Sequence, residues 1–571
     1  MNLKEYLISN KKRSVLLISI MLIMGGVIPL MIFTFFPDPE NPYTIKQITL
    51  ESETDETKIQ ALLYTPHDAA RGTPGIVVAH GFCGNKQYMQ PLSIELVKRG
   101  FTVVAIDFRG HGSSEGELPA VRRALDENPI DGDMLAAVNY LEDKMDAGHI
   151  GLVGHSMGGA TSLRVSQNHP DKIEAVVSIG MIGTDYKLDK ISNVLMAFGR
   201  LEQIFSQQQG LEFLEEYTGK KNVEIGKLYG DFDDGDATKV ILGNTEHLFE
   251  VIDPVILEAT VQWFEQAFNG EEANDVVITV VAHQISFLIA LTGVTMLCFL
   301  LIYLLKEWIF QRKEEIPTIS FAEEDALGKV MILYILGALL GAMLFLLPFS
   351  YLFQALLPIS MGHILYAFIV GMALGLLLMY YLIKIRPNKD LSLSDIPQNI
   401  RGMCPTSPYR SLSYGVIAGL ILTTAISALM HWSTNASFLT LREIGAVFGM
   451  VILFFPFLFI KEFFLRNIHE RVRSKNRFKE YFSMVGVGIF VDNLLIILLA
   501  GVSWQNPNSD LGFIALSMTA VIIFSVIQHF LVTWIYMNSG RNILGSTMAL
   551  CIIYGWMIVN FFPFGVNSGF F

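Results

Sequence analysis

Between residues 281 and 562 the sequence returns eight times to one unit, a predominantly apolar run long enough to cross a bilayer. These runs are 281–305, 330–352, 362–383, 413–431, 443–463, 481–503, 511–536 and 543–562. A ninth, from Ser14 to Phe36, follows Lys4, Lys11, Lys12 and Arg13 near the N-terminus. Hydrocarbon offers no partner for backbone N–H and C=O groups, so about 20 consecutive apolar residues must form a helix to lie there. Nine transmembrane helices are expected. A mean hydropathy of +0.44, with 52% hydrophobic and 17% charged residues, is too apolar for a wholly soluble chain of 571 residues.

Charge orients these helices. The first run exceeds the roughly 7 to 15 apolar residues of a signal-peptide core and has no small-residue cleavage site, so it reads as a retained signal anchor with its N-terminus in the cytoplasm. Counting outward from there, 20 basic residues fall in the N-terminal tail and the loops placed inside, and only Arg442 falls in the short outer loops. Losing one helix would scramble that asymmetry. The plan is therefore a tail (1–13), an anchor (14–36), an extracytoplasmic domain (38–275), an eight-helix membrane domain (281–562) and an outer tail (563–571). Residues 38–275 hold 39 acidic against 19 basic side chains, and the remainder holds 15 against 22. An acidic soluble domain is thus joined to a basic membrane domain, and no nucleic-acid partner is expected of it. Of four cysteines only Cys83 lies in the acidic domain, so no disulfide framework forms there. Together with the short loops, this points to a bacterial cell membrane.

Inside the acidic domain the periodicity changes. Segments 44–50 and 58–64 read as an antiparallel hairpin, and 75–79, 101–107, 150–155, 173–179, 193–199 and 238–244 read as strands alternating with helices. That alternation implies a mostly parallel sheet with right-handed crossovers. One strand runs into Gly154-His155-Ser156-Met157-Gly158-Gly159, which has the form of a nucleophile elbow: a serine on a strained strand-to-helix turn, flanked by glycines because side chains there would strike neighbouring backbone.

The combination of His80-Gly81, Asp107-x-Arg109-Gly110-His111-Gly112-x-Ser114 and the elbow resembles the α/β-hydrolase superfamily, in the branch holding monoacylglycerol lipases, lysophospholipases and serine aminopeptidases. The resemblance covers residues 44 to about 270, and implies the chain order nucleophile, acid, histidine at successive strand ends. On that order Ser156 is the nucleophile, Glu202 the acid and His247 the base, with Asp231, Asp233, Asp234 and Asp236 as alternative acids near the last strand. The backbone N–H groups of Phe82 and Met157 would form the oxyanion hole. His80, Gly81, Gly154, His155, Gly158 and Arg109 are read as support for the turn and pocket, and His111 as part of the same structural loop. The chemistry is acyl transfer, in which the imidazole takes the serine proton and the carboxylate fixes its tautomer. No metal or cofactor is called for. The acidic run Asp231 to Asp236 resembles a calcium loop but lacks the downstream glutamate, and reads as a solvated turn.

The insertion after Glu202 carries Phe205, Leu211, Phe213 and Leu214, which form either an apolar lid or ordinary packing. Within the membrane runs, Asp492 beside Asn493 and His529 beside Gln528 stand at costly depth and are functional candidates or helix-packing groups. Gly337, Gly341, Gly371 and Gly375 are expected to permit close helix contact. The fold class is therefore an α/β-hydrolase domain fused to an all-α polytopic membrane domain. The expected function is a membrane-embedded serine hydrolase of carboxylic esters, acting on a small-molecule or lipid acyl substrate at the bilayer. The alternatives are a peptidase or acyltransferase using the same triad, or a transporter or sensor gated by a hydrolase-like binding domain.

Overall fold

The computed structural model describes residues 3–35, 42–118, 128–182, 191–270, 278–310, 326–354, 357, 359, 362–387, 408–434, 438–504 and 510–565. Eight strands form one sheet: β1 (Tyr43–Glu51), β2 (Lys58–Pro66), β3 (Gly75–Ala79), β4 (Thr102–Ile106), β5 (Ile150–His155), β6 (Ala175–Ile179), β7 (Val194–Gly199) and β8 (Thr238–Gly243). Their order is β1-β2-β4-β3-β5-β6-β7-β8. The β1–β2 hairpin is antiparallel, β2 is antiparallel to β4, and every other neighbouring pair is parallel.

The parallel strands are apolar without alternation because both faces are covered. Val77 and Ala79 point into a core shared with α3 (Pro129–Met145), α4 (Met157–Asn168) and α5 (Gln207–Thr218). Ile76 and Val78 point the other way, toward α2 (Gln90–Val97) and α6 (Pro254–Asn269). Three of these helices start on side-chain caps: the Asn128 side chain accepts the Ile130 N–H, that of Ser206 accepts the Gln209 N–H, and that of Asp253 accepts those of Val255 and Ile256. α5 corrects the idea of a lid. Phe213 and Leu214 are fully buried in the sheet core, and Phe205 and Leu211 pack against it. The insertion is held down by its own apolar face.

The helical part comprises α1 (Leu3–Phe35), α7 (Val280–Ile309), α8 (Leu327–Gln354), α9 (Gly362–Tyr380), α10 (Pro408–Thr434), α11 (Leu441–His469), α12 (Arg477–Trp504), α13 (Asp510–Asn538) and α14 (Ile543–Phe561). Among the described residues, eight helices are long and apolar enough to cross a membrane; α12, which carries Asp492, fills the remaining expected run. α1 lies antiparallel along α7, with Gly26 against Ala290, Gly293 against Ile23, and Lys12 bonded to Glu307 at 2.8 Å toward the far end. The expected glycine contact joins α8 and α9, where a Cβ on Gly341 would stand 1.9 Å from the Gly371 carbonyl oxygen.

The sheet domain rests on one end of this bundle. Thr279, just before α7, donates its N–H to Glu95 at 2.8 Å, and Gln284 in the first turns of α7 donates to the Ile252 carbonyl at 3.1 Å. On the other flank Phe564, beyond α14, gives its N–H to the Gly110 carbonyl at 2.8 Å and accepts that of Leu118 at 2.9 Å. Arg442, at the start of α11, lies over the Phe564 ring and 3.7 Å from Glu117.

Candidate active site

The elbow forms because β5 must turn into α4 within one residue. Ser156 takes φ 52° and ψ −112°, a conformation that side chains rarely adopt. Its N–H is pinned to the Ile179 carbonyl at 2.7 Å, which holds the strained residue against β6. A Cβ at Gly154 would sit 2.1 Å from the Gly158 backbone, so only glycine lets the strand and helix meet so tightly. Ser156 is half-buried, and Met157 opens α4 behind it, where first-turn N–H groups lack intrahelical partners. Gly81 faces the serine: a Cβ there would stand 3.1 Å from Ser156 Cβ.

Glu202 and His247 come together from separate strand ends. Glu202 follows β7, and His247 opens a short 3-10 helix, His247–Ile252, after β8. His247 Nδ1 lies 2.8 Å from Glu202 Oε2, with both side chains buried. The carboxylate accepts there, which leaves Nε2 as the basic nitrogen. The other Glu202 oxygen accepts the Ile204 N–H at 2.7 Å. Gln203 accepts the His247 N–H at 3.2 Å and donates to Glu246 at 2.8 Å, so both ends of the pair are tied to one loop. Burial opposes ionisation of Glu202, but the charge and hydrogen bond of His247 hold its carboxyl below the usual range.

The supporting histidines are neutral. His155 is fully enclosed, and burial followed by the charge of His247 lowers it to about 3. Its Nε2–H donates to the His247 carbonyl at 3.0 Å, so it holds the loop that carries His247. His80 is lowered by burial; its Nδ1–H donates to the Gly81 carbonyl at 2.8 Å and its Nε2 accepts the Phe108 N–H at 3.0 Å. That double tether shapes the turn leading to Phe82. His111, lowered to about 3 mainly by burial and then by the charge of His80, donates to the Arg109 carbonyl at 3.1 Å.

Arg109 points away from the serine. Its guanidinium bonds Asp133 at 2.6 Å, Asp55 at 2.6 Å and Ser52 at 2.9 Å, joining its loop to α3 and the β1–β2 turn. Asp107 is equally structural, accepting the Lys86 N–H at 2.7 Å and that of Ser113 at 2.9 Å and pairing with the buried Lys86 ammonium. The aspartates proposed as alternative acids form a tight turn of their own: Asp236 accepts the Asp231 N–H and Asp231 accepts that of Asp233.

One residue in this site escaped the sequence reading. Glu250, three positions after His247, is fully buried and accepts the Gly199 N–H at 2.6 Å. Its Oε2 lies 3.7 Å from His247 Nδ1 and 3.3 Å from His155 Nε2. The sequence signal was faint, a glutamate at helical spacing from the histidine on an otherwise apolar turn. His155, His247 and Glu250 offer three ligand atoms within 4.8 Å of one another, the donor set of a metal site. The hydrogen bonds above occupy both imidazole atoms that face inward, His247 Nδ1 with Glu202 and His155 Nε2 with a carbonyl, so the trio fits a metal poorly.

The membrane candidates also meet. Asp492 on α12 and His529 on α13 lie 3.0 Å apart, and Asp492 takes further bonds from Lys461 on α11 at 2.5 Å and Tyr334 on α8 at 2.7 Å. Lys461 is 3.8 Å from Glu462, which pairs with Arg466 at 2.6 Å, and Arg466 bonds His469 at 2.9 Å. Lys461 and Glu462 fall at the end of the expected run 443–463 and Arg466 just beyond it, and the sequence reading singled out none of them.

A family described by its alpha/beta hydrolase fold matches residues 74–208, the stretch from β3 into α5 that contains the elbow. The domain has the α/β-hydrolase fold. Its hydrolase region is similar to the sn-1-specific diacylglycerol lipase ABHD11 of Xenopus tropicalis, 30% identical over 132 residues, covering 23% of this chain and 39% of that protein. It is similar also to the thermostable monoacylglycerol lipase of Bacillus sp. (strain H-257), 32% identical over 108 residues, covering 19% of this chain and 40% of that protein. The chain thus spans about two fifths of the length of these curated relatives. Among solved structures, the Pyrococcus furiosus esterase Pf2001 aligns with a TM-score of 0.30 and 19% identity, covering 39% of this chain and 93% of that one.

Proposed function

We propose that this chain is a membrane-embedded serine hydrolase that cleaves carboxylic esters through an acyl-enzyme on Ser156. The observation that carries the reading is the buried Glu202–His247 bond at 2.8 Å in the loops beside a serine held at φ 52°. Strain of that kind is costly, by about 1–3 kcal/mol, and persists where function needs it. In the proposed cycle His247 Nε2 takes the Ser156 proton as Oγ attacks the ester carbonyl. The N–H groups of Met157 and Phe82 receive the oxyanion, and the alcohol leaves with the proton returned by His247. Water then repeats the sequence on the acyl-enzyme.

A lipid-borne ester is the preferred substrate class. The lipase relatives point that way. We assign the hydrolase domain to the extracytoplasmic side on the charge asymmetry of the loops. The buried Asp492 cluster supports a second reading, in which the bundle moves a solute or protons and the hydrolase domain regulates it.

The test is labelling of intact cells with a membrane-impermeant fluorophosphonate. Labelling of the wild type that is lost in Ser156→Ala and strongly reduced in His247→Ala supports both the activated serine and its outer location. Labelling only after the membranes are opened overturns the sidedness, and no labelling of folded protein in either state overturns the hydrolase.

A further inference from the structure

We propose that Glu250 is a protonated carboxylic acid that hydrogen-bonds the Glu202 carboxylate and thereby sets the basicity of the Glu202–His247 pair, a role that rests on the hydrolase reading above.

The geometry leaves Glu250 one way to be satisfied. Its side chain is fully buried, behind Gly180, where any side chain would collide: a Cβ there would stand 2.2 Å from Glu250 Oε2 and 3.0 Å from His247 Cε1, and φ is +62°. Oε1 takes the Gly199 N–H. Oε2 receives no N–H or O–H donor from any described residue. The two imidazoles nearest to it have committed their inward atoms elsewhere, His155 Nε2–H to the His247 carbonyl and His247 Nδ1–H to Glu202. What remains in front of Oε2 is Glu202, whose own Oε2 faces the same His247 Nδ1, at 2.8 Å against 3.7 Å for Glu250. Two carboxyl oxygens make a hydrogen bond only when one carries a proton. Two adjacent carboxylates in a closed pocket do not both ionise, and the environment decides which stays neutral.

Apart from the Gly199 N–H, the groups around Glu250 favour its neutral form or leave it unchanged. Glu202 after β7 is paired with His247, so it keeps the charge. Glu246, on the same loop, adds a second negative field, and Tyr88 from the β3–α2 connection faces the site as a neutral phenol bonded to the Leu248 carbonyl. His155 on β5 is neutral. Burial, the Glu202 charge and the hydrogen bond to Glu202 push Glu250 well above the usual carboxyl range, while the Gly199 N–H pulls weakly the other way.

The consequence reaches the base. A proton donated to Glu202 from behind draws charge off the carboxylate, so Glu202 stabilises the His247 imidazolium less. Ionisation of Glu250 at high pH reverses this, because a second negative charge then stands beside the pair. Glu250 is thus a positioning residue acting through Glu202.

The experiment uses the full chain in detergent, with a p-nitrophenyl ester as substrate and kcat/KM followed against pH. Glu250→Gln keeps an N–H donor toward Glu202 and is expected to hold the acidic limb in place and retain most of the rate. Glu250→Leu removes the donor and is expected to move the acidic limb up by about 0.5 to 1 unit, with kcat/KM at neutral pH down about tenfold. Equal losses in both variants with an unmoved limb overturn the proposal in favour of plain packing. An equal shift in both overturns it as well, because the amide would then fail to replace a neutral acid. Should the leucine variant not fold, infrared spectra of the wild type at neutral pH decide: one protonated carboxyl C=O band absent from Glu250→Gln supports the proposal, and identical spectra overturn it. Loss of turnover in Ser156→Ala with unaltered Glu250 profiles would leave the hydrolase standing and this inference alone refuted.

Discussion

Two buried charge clusters sit in this molecule, and they are built on opposite principles. Around Asp492 each of the central charges has an opposite partner within hydrogen-bond distance, with Lys461, His529 and Tyr334 on one carboxylate and Glu462 set against Arg466. Around His247 the groups are crowded, acids outnumber bases, and one carboxyl oxygen is left without a donor. Burial makes an unpaired charge costly and a paired one roughly neutral against an apolar replacement. We expect the balanced cluster to hold helices in register and the unbalanced one to move protons. The difference teaches that burial alone does not tell a packing cluster from a reactive one, and that variants must probe how its charges are paired.

The largest effects should separate the two clusters by activity. Ser156→Ala and His247→Ala are expected to lower ester turnover by about 10⁴-fold or more, and Glu202→Gln by about 10²- to 10⁴-fold, while the protein keeps its melting temperature within a few degrees. Asp492→Asn is expected to leave turnover within about twofold. A large loss of hydrolysis in Asp492→Asn would break the comparison by tying the bundle to the chemistry.

Stability should separate them next. Lys461→Met alone leaves Asp492 short of its cation and is expected to destabilise the chain in detergent by about 3–5 kcal/mol, whereas Lys461→Met with Asp492→Leu recovers most of that. Failure of the double variant to recover, with loss of a transport or proton-uptake signal in vesicles, would favour the second reading of the bundle. The Arg109 clamp supplies the soluble counterpart: Arg109→Ala strands the buried Asp133 and is expected to cost about 3–5 kcal/mol with little change in kcat of the protein that stays folded.

The smallest effect concerns Asp55, whose carboxyl is lowered to about 2, first by its hydrogen bond to Arg109 against a weaker opposing effect of burial. A depressed carboxyl contributes stability above its unfolded value near 4 and loses it as pH falls toward 2. The Asp55 side chain is 46% exposed, so Asp55→Asn is expected to cost under about 1 kcal/mol at neutral pH and nothing near pH 2, read from denaturation at the two pH values.

What the sequence disclosed follows the same division. The mostly parallel sheet and the strand ends that carry Ser156, Glu202 and His247 were legible from apolar strands, a strained turn that needs glycine and the chain order that the resemblance implies, whereas the strand order was not read from the sequence. Glu250 was illegible because its meaning arises only when the loops after β7 and β8 meet over Gly180. Phe213 and Leu214 could be read either way, since an apolar helix face looks alike whether it covers a pocket or a sheet. In the bundle Asp492 and His529 stood out as charges in apolar surroundings, and Gly341 against Gly371 followed from spacing. Lys461 and Glu462 were hidden because a charge near the end of an apolar run reads equally well as a helix end.

The most direct test of the central claim is to mix the full chain with p-nitrophenyl butyrate, quench in acid within the first turnovers, and weigh the peptide containing Ser156 by mass spectrometry. The account predicts a butyryl adduct on Ser156 in the wild type, absent from Ser156→Ala, formed far more slowly in His247→Ala. Turnover of the ester with no adduct on Ser156, undiminished in Ser156→Ala, would contradict it.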